Sequence, residues 1–152
     1  MERIRIYEIP ACKMVSSGVG MFGDDNFDRF DAWLASAKGL PNAAPQVFPR
    51  DYLTGGPGGF EWLYLYEDGM DTAGFAVVDF PGGLYAVVTG IDGQSNRAEM
   101  AALAEFIAAH GLERDPDRAE LGNVITSPAA KAALGYEQMD YFVPVRAVRN
   151  LQ

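Results

Sequence analysis

Residues 7–16 read YEIPACKMVS and residues 78–87 read VDFPGGLYAV. Each stretch runs acid, apolar residue, proline, two small residues, then a strand-like segment. The second copy lies 71 residues after the first. The same shift carries Asp24 onto Ser95, and both open a helical pattern. Over 24–38 the apolar residues Phe27, Phe30, Leu34 and Ala37 form one helical stripe. Asp24 and Asp25 are its N-cap candidates, and Gly39 with Pro41 ends it. Over 95–109 the stripe is Met100, Leu103 and Ile107, opened by Ser95 or Asn96 and closed by Gly111. An extended stretch follows each helix, near 46–52 and 121–126.

Each half then ends in a further strand. Residues 60–66, FEWLYLY, match residues 136–142, YEQMDYF, at an offset of 76. The predicted fold is therefore α+β: duplicated strand-helix-strand-strand (SHS2-like) units, with two main helices and antiparallel sheets. All 152 residues form one domain, with repeat halves of about 1–70 and 71–152. Units of ~75 residues bury little surface alone, so the halves are expected to pair about a pseudo-twofold axis with a central cleft.

The repeat disposes of a tempting motif. Gly18-x-Gly20-x-x-Gly23 has the letters of a dinucleotide fingerprint. It coincides in the repeat with Gly90-Ile-Asp-Gly93, a strand-to-helix connection. The helix that follows opens with Asp24, Asp25 and Asp28, which repel a pyrophosphate. The run Thr54-Gly-Gly-Pro-Gly-Gly59 reads as a loop between two strands.

Composition narrows the function. Twelve Lys and Arg stand against 21 Asp and Glu, a net charge of -9, which disfavours nucleic acid and anionic lipid as partners. No apolar run is long enough to span a membrane. The single cysteine, Cys12, fits a reducing, cytoplasmic setting.

The closing strands carry the most chemistry. Alternate residues of a strand share a face. One face of 60–66 holds Phe60, Trp62, Tyr64 and Tyr66; the other holds Glu61, Leu63 and Leu65. One face of 136–145 holds Tyr136, Gln138, Asp140 and Phe142; the other holds Met139, Tyr141, Val143 and Val145. The even offset of 76 makes the two aromatic faces equivalent. The aliphatic faces are expected beneath the helices. The aromatic faces, with Asp140 among them, are expected to take a small ligand, and a flat cation suits such a surface.

These features resemble the gyrase-inhibitor-like (GyrI-like) family, which includes the effector-binding domains of multidrug-responsive and AraC-type regulators. The resemblance rests on the strand running into Pro10, on Phe80-Pro81-Gly82-Gly83-Leu84-Tyr85-Ala86-Val87, and on the closing Asp140-Tyr141-Phe142-Val143-Pro144-Val145. Asp140 stands where many members have Glu, and Phe142 where many have Tyr. The family's pocket Glu precedes a proline matching Pro128. Glu120 is the nearest acid, and Gly122 or Asn123 are the other occupants of that slot. The resemblance implies binding of amphipathic, often cationic aromatic compounds. It reads as a stand-alone form, because the first strand is expected near residue 3. The implied ligand-binding set is Phe60, Trp62, Tyr64, Tyr66, Tyr85, Glu120, Asp140 and Phe142.

Two alternatives remain beside ligand binding. Some family members resemble hydrolases of electrophilic toxins, for which Glu120, Asp140 and Tyr85 are the catalytic candidates. Others bind gyrase, so a protein-interaction module is the third reading. No cofactor and no metal are expected: one histidine and one cysteine cannot build a ligand cluster. His110 reads as a helix C-terminal residue, favoured there by the helix dipole.

Overall fold

In a computed structural model the chain is described over residues 3–37 and 50–148. The expected helix stop at Gly39 and Pro41, and the start of the stretch at 46–52, lie outside these residues. The elements are β1 (Arg5–Ile9), β2 (Cys12–Gly20), α1 (Asp25–Ala37), β3 (Asp51–Gly56), β4 (Gly59–Leu65), β5 (Ala76–Phe80) and β6 (Gly83–Ile91). There follow α2 (Arg97–Ala109), β7 (Leu112–Arg114), β8 (Leu121–Val124), α3 (Pro128–Leu134) and β9 (Gln138–Ala147). The class is α+β with antiparallel pairing. The short helix α3 was not foreseen. Ser127 caps it by accepting the Ala130 N–H, Pro128 opens it, and Gly135 ends it in the left-handed region.

The chain divides into two compact units, one of residues 11–80 and one of 1–10 with 81–152. The repeat boundary expected near residue 70 therefore does not coincide with the unit boundary. The proline inside each duplicated stretch is where the chain passes from one unit to the other. β1, leading the first repeat, pairs with β6 of the second, and β5, leading the second, pairs with β2 of the first. The registers obey the 71-residue shift: Arg5 faces Val87, and their counterparts Ala76 and Ser16 face each other.

In the 11–80 unit the strand order is β3-β4-β2-β5. α1 lays Phe30, Trp33 and Leu34 over Val15 and Tyr64, with Trp62, Tyr66, Met70 and Phe75 packed around them. Full burial of side chains this size contributes ~1.5–3 kcal/mol each, so this aromatic layer holds α1 down. β2 carries a bulge between Ser16 and Val19. The Asn26 amide donates to the freed carbonyls of Ser17 (3.1 Å) and Val19 (3.3 Å). This accounts for the glycine pattern: a Cβ at Gly20 would stand 2.8 Å from the Asn26 amide oxygen.

In the other unit the order is β1-β6-β9-β8, and β7 pairs with β9 beyond the end of β8. α2 packs Leu103 and Ile107 on Ala86, Val88, Val143 and Val145. It begins at the Asn96 cap, whose side chain makes no capping bond, and ends at His110. As expected, His110 closes the helix, its ring stacked on Phe106 at 3.9 Å. Pro144 sits where β8 has ended and β7 has just begun, so no ladder bond is lost to its missing N–H.

Gly59 tests the hairpin that closes β3 on β4. Its φ is +129° and an added Cβ would lie 2.6 Å from the Gly20 carbonyl oxygen. Gly59→Ala is expected to cost at least about 2 kcal/mol in urea unfolding, because backbone cannot swing aside as a side chain can.

Candidate functional site

In each unit the strands have one face beneath a helix and one face turned away from it. Register decides which side chains share a face. Ser16 pairs with Leu63, and Val87, 71 residues on from Ser16, pairs with Phe142. The closing strands are therefore related by 79 residues, not 76. An odd correction reverses every side chain.

The consequence is a correction to the expected site. The face of Trp62, Tyr64 and Tyr66 is the one α1 covers, and Leu63 lies on the opposite side. Tyr64 is 2% exposed and meets Trp33 edge to face at 5.7 Å. Trp62 lies within 5.6–6.3 Å of the rings of Phe30, Phe27 and Phe22, and its indole N–H donates to Asp51. Phe60 meets Phe22 at the hairpin end. These aromatics hold α1 rather than line an open surface. In the second repeat the aliphatic face lies under α2 as predicted.

The face of β9 away from α2 carries Asp140, Phe142 and Pro144. Register places on the same face Arg5 and Tyr7 of β1, Tyr85, Val87 and Thr89 of β6, and Leu121 and Asn123 of β8. Tyr85 and Phe142 meet edge to face at 6.0 Å, and Tyr7 stands 6.2 Å from Phe142. Arg118 braces Tyr85: its guanidinium lies 4.9 Å from the ring centre and donates to the carbonyls of Gly82, Leu84 and Val145. Asp115 holds Arg118 in turn, and that hydrogen bond keeps the Asp115 carboxyl below its usual range.

Asp140 is the buried charge of this face, at 5% exposure. Its Oδ1 accepts from the Thr89 hydroxyl at 2.5 Å and from the Arg5 guanidinium at 2.9 Å. Arg5 also donates to Thr89 at 3.0 Å. Burial pushes the Arg5 pKa down, but the hydrogen bond and charge of Asp140 outweigh it and raise the net value. Asn123, the register partner of Asp140 on β8, is 6% exposed, and its Oδ1 has no hydrogen-bond partner among the described residues. Glu120 does not join this cluster. It is exposed and pairs with Arg114 at the surface, so it is no buried pocket acid.

Of the residues predicted from sequence, the structure brings together Tyr85, Asp140 and Phe142. Arg5, Tyr7 and Thr89 were missed, and Asn123 was named only as one occupant of the slot before Pro128. Alternation along β1 puts Arg5 and Tyr7 on one face, but only register sets them beside Asp140. The 11–80 unit has a faint counterpart: Glu61, two residues before Leu63 as Asp140 is before Phe142, accepts from the Ser16 hydroxyl at 2.5 Å. Among the described residues no group of His, Cys, Asp and Glu could hold a metal ion, and no helix is long and apolar enough to cross a membrane.

Solved structures share this architecture. The crystal structure of the EcmrR C-terminal domain superposes with a TM-score of 0.65 at 14% identity, over 97% of this chain and 99% of that one. This likeness is one of fold, and the fold is GyrI-like. A hydrolase from Listeria innocua superposes at a TM-score of 0.64 and 15% identity, covering 95% of this chain and 92% of that one. SAV2435 bound to tetraphenylphosphonium aligns at a TM-score of 0.55 and 10% identity, over 95% of this chain and 94% of that one. No protein-family profile matches the sequence, and no curated protein matches it.

The two donors on Asp140 can be tested by a double-mutant cycle in urea unfolding. Thr89→Val is expected to cost ~1.5–3 kcal/mol, the value of a bond to a buried charge. Arg5→Gln should cost less, about 1 kcal/mol, because its side chain is 35% exposed and solvent screens the pair. Together they should cost more than the sum by at least ~0.5 kcal/mol, since either donor alone partly satisfies the carboxylate.

Proposed function

We propose that this chain is a small-molecule-binding protein, and that its ligand is a lipophilic aromatic compound held against the Tyr7–Tyr85–Phe142–Asp140 face. One observation carries the reading: a carboxylate, paired with a half-exposed arginine, and an amide are buried within an aromatic, apolar surface where hydrocarbon side chains would be more stable. Burying polar groups costs free energy unless they are fully answered. Such expense is characteristic of binding surfaces, where a few polar groups orient a ligand among apolar ones. The likeness to the EcmrR C-terminal domain and to SAV2435 bound to tetraphenylphosphonium supports it.

Entry follows from the same layout. Tyr85 and Phe142 are 1% and 4% exposed, whereas Tyr7 is 41% exposed. Among the described residues β1 pairs on one side, with β6. A ligand would meet Tyr7 and Arg5 first and reach the buried rings by displacing what covers them. The -9 net charge and the lone Cys12, whose thiol burial pushes up, fit a cytoplasmic protein acting on small molecules rather than nucleic acid.

A hydrolase is the second reading, favoured by the Listeria innocua likeness and by a buried carboxylate beside tyrosines. The two separate by mass balance. Equilibrium dialysis with planar tricyclic aromatics is expected to give saturable one-to-one binding, with all ligand recovered unchanged by chromatography. Tyr7→Ala should weaken binding about 3–10-fold, the value of one aromatic contact. Consumption of ligand that stops in Asp140→Asn would favour the hydrolase instead.

A further inference from the structure

The ligand's charge class can be argued from the same face, and this step rests on the binding function proposed above. Ring faces attract a cation only modestly, and taking its charge out of water calls for an unanswered negative charge as well. Asp140 is the one carboxylate buried on this face, and Arg5 already neutralises it while Thr89 donates to the same oxygen. Glu120 faces outward with Arg114. The buried polar set is therefore neutral overall. A cationic ligand would have to expel Arg5 and take its place on Asp140.

What the face does leave open is an acceptor. Asn123 Oδ1 is buried and without a partner among the described residues, on the strand position directly across from Asp140. A buried acceptor left unmade costs the full desolvation of that group. Leucine has the same branched outline without that cost, so the amide is retained against stability. Around it the surface is hydrocarbon: Leu121 precedes it on the same face of β8, and Phe142 and Val87 lie in the adjoining rows. The complement of such a surface is a flat apolar ring system carrying one N–H or O–H.

We propose that this face selects an uncharged aromatic ligand that donates one hydrogen bond to Asn123 Oδ1, and that the Arg5–Asp140 pair discriminates against cations. Asn123 sets specificity by direct contact with the ligand; Arg5 sets it by occupying the buried carboxylate of this face.

Three probes of one shape separate the terms: acridone, which is neutral with an N–H; N-methylacridone, neutral without it; and 10-methylacridinium, the cation. Titration calorimetry on the whole chain is expected to rank acridone tightest, with each of the others at least 10-fold weaker. In Asn123→Leu the acridone preference over N-methylacridone should fall to within 2-fold, and the variant should melt no lower than the parent, which shows that it folds. In Arg5→Gln the preference for acridone over 10-methylacridinium should shrink at least 10-fold, because Asp140 is then unanswered. Equal binding of acridone and N-methylacridone to the parent chain overturns the role of Asn123. Tightest binding by 10-methylacridinium overturns the charge selection while leaving the binding function standing. Binding of none of the three overturns the binding function, and this inference with it.

Discussion

A carboxylate out of water must be answered, and in this chain Asp140 is answered by two other strands. Thr89 of β6 and Arg5 of β1 both donate to the same oxygen. The bond between Arg5 and Asp140 joins residues 135 positions apart. It can form only when β1 lies beside β6 and β6 beside β9, in one register. A slip of one residue along either ladder would turn Thr89 or Arg5 to the other face and leave the charge unpaired. Apolar burial makes these strands stable together; the buried carboxylate makes one pairing of them far better than its neighbours.

That pairing also decides how the duplicated sequence is used. Each repeat begins with a short strand, a proline and a long strand. The proline ends one strand before the next begins, and the two then belong to different compact units. Each unit is completed by the lead strand of the other repeat. Without β1 the β6–β9 ladder would lose Arg5 and Tyr7 from its face away from α2. The helix-covered faces show how freely the repeats have diverged in packing. One is aromatic, with Trp33, Trp62 and Tyr64 under α1; the other is aliphatic, with Val143 and Val145 under α2. Both bury enough to hold a helix, and neither composition by itself marks a binding surface.

The face that does bear the marks of recognition combines rigid rings with a short list of polar atoms. Arg118 braces Tyr85 from three backbone carbonyls, so the ring is placed before any ligand arrives. Preorganisation of this kind lowers the ordering cost of binding. In this chain the buried acid is met by an arginine, and an amide lies directly across from it on the neighbouring strand.

The sequence by itself determined the elements, the duplication and the resemblance. Periodicity located α1 and α2 nearly to the residue, and the shift of 71 holds in the register of the lead strands. It also put Tyr85, Asp140 and Phe142 among the candidates, because the closing motif is contiguous along the chain. What only the tertiary structure decided was face and proximity. An offset of 76 between the closing strands and the true 79 differ by an odd number, so similar letters were aligned with opposite orientations. Composition cannot correct this, since a core beneath a helix and a ligand surface are both rich in Phe, Trp and Tyr. Nor could alternation reveal that Arg5 meets Asp140 or that Asn123 Oδ1 has no hydrogen-bond partner among the described residues. Those facts depend on which strands lie side by side, and hydrogen-bond register across the sheet, rather than order along the chain, sets that.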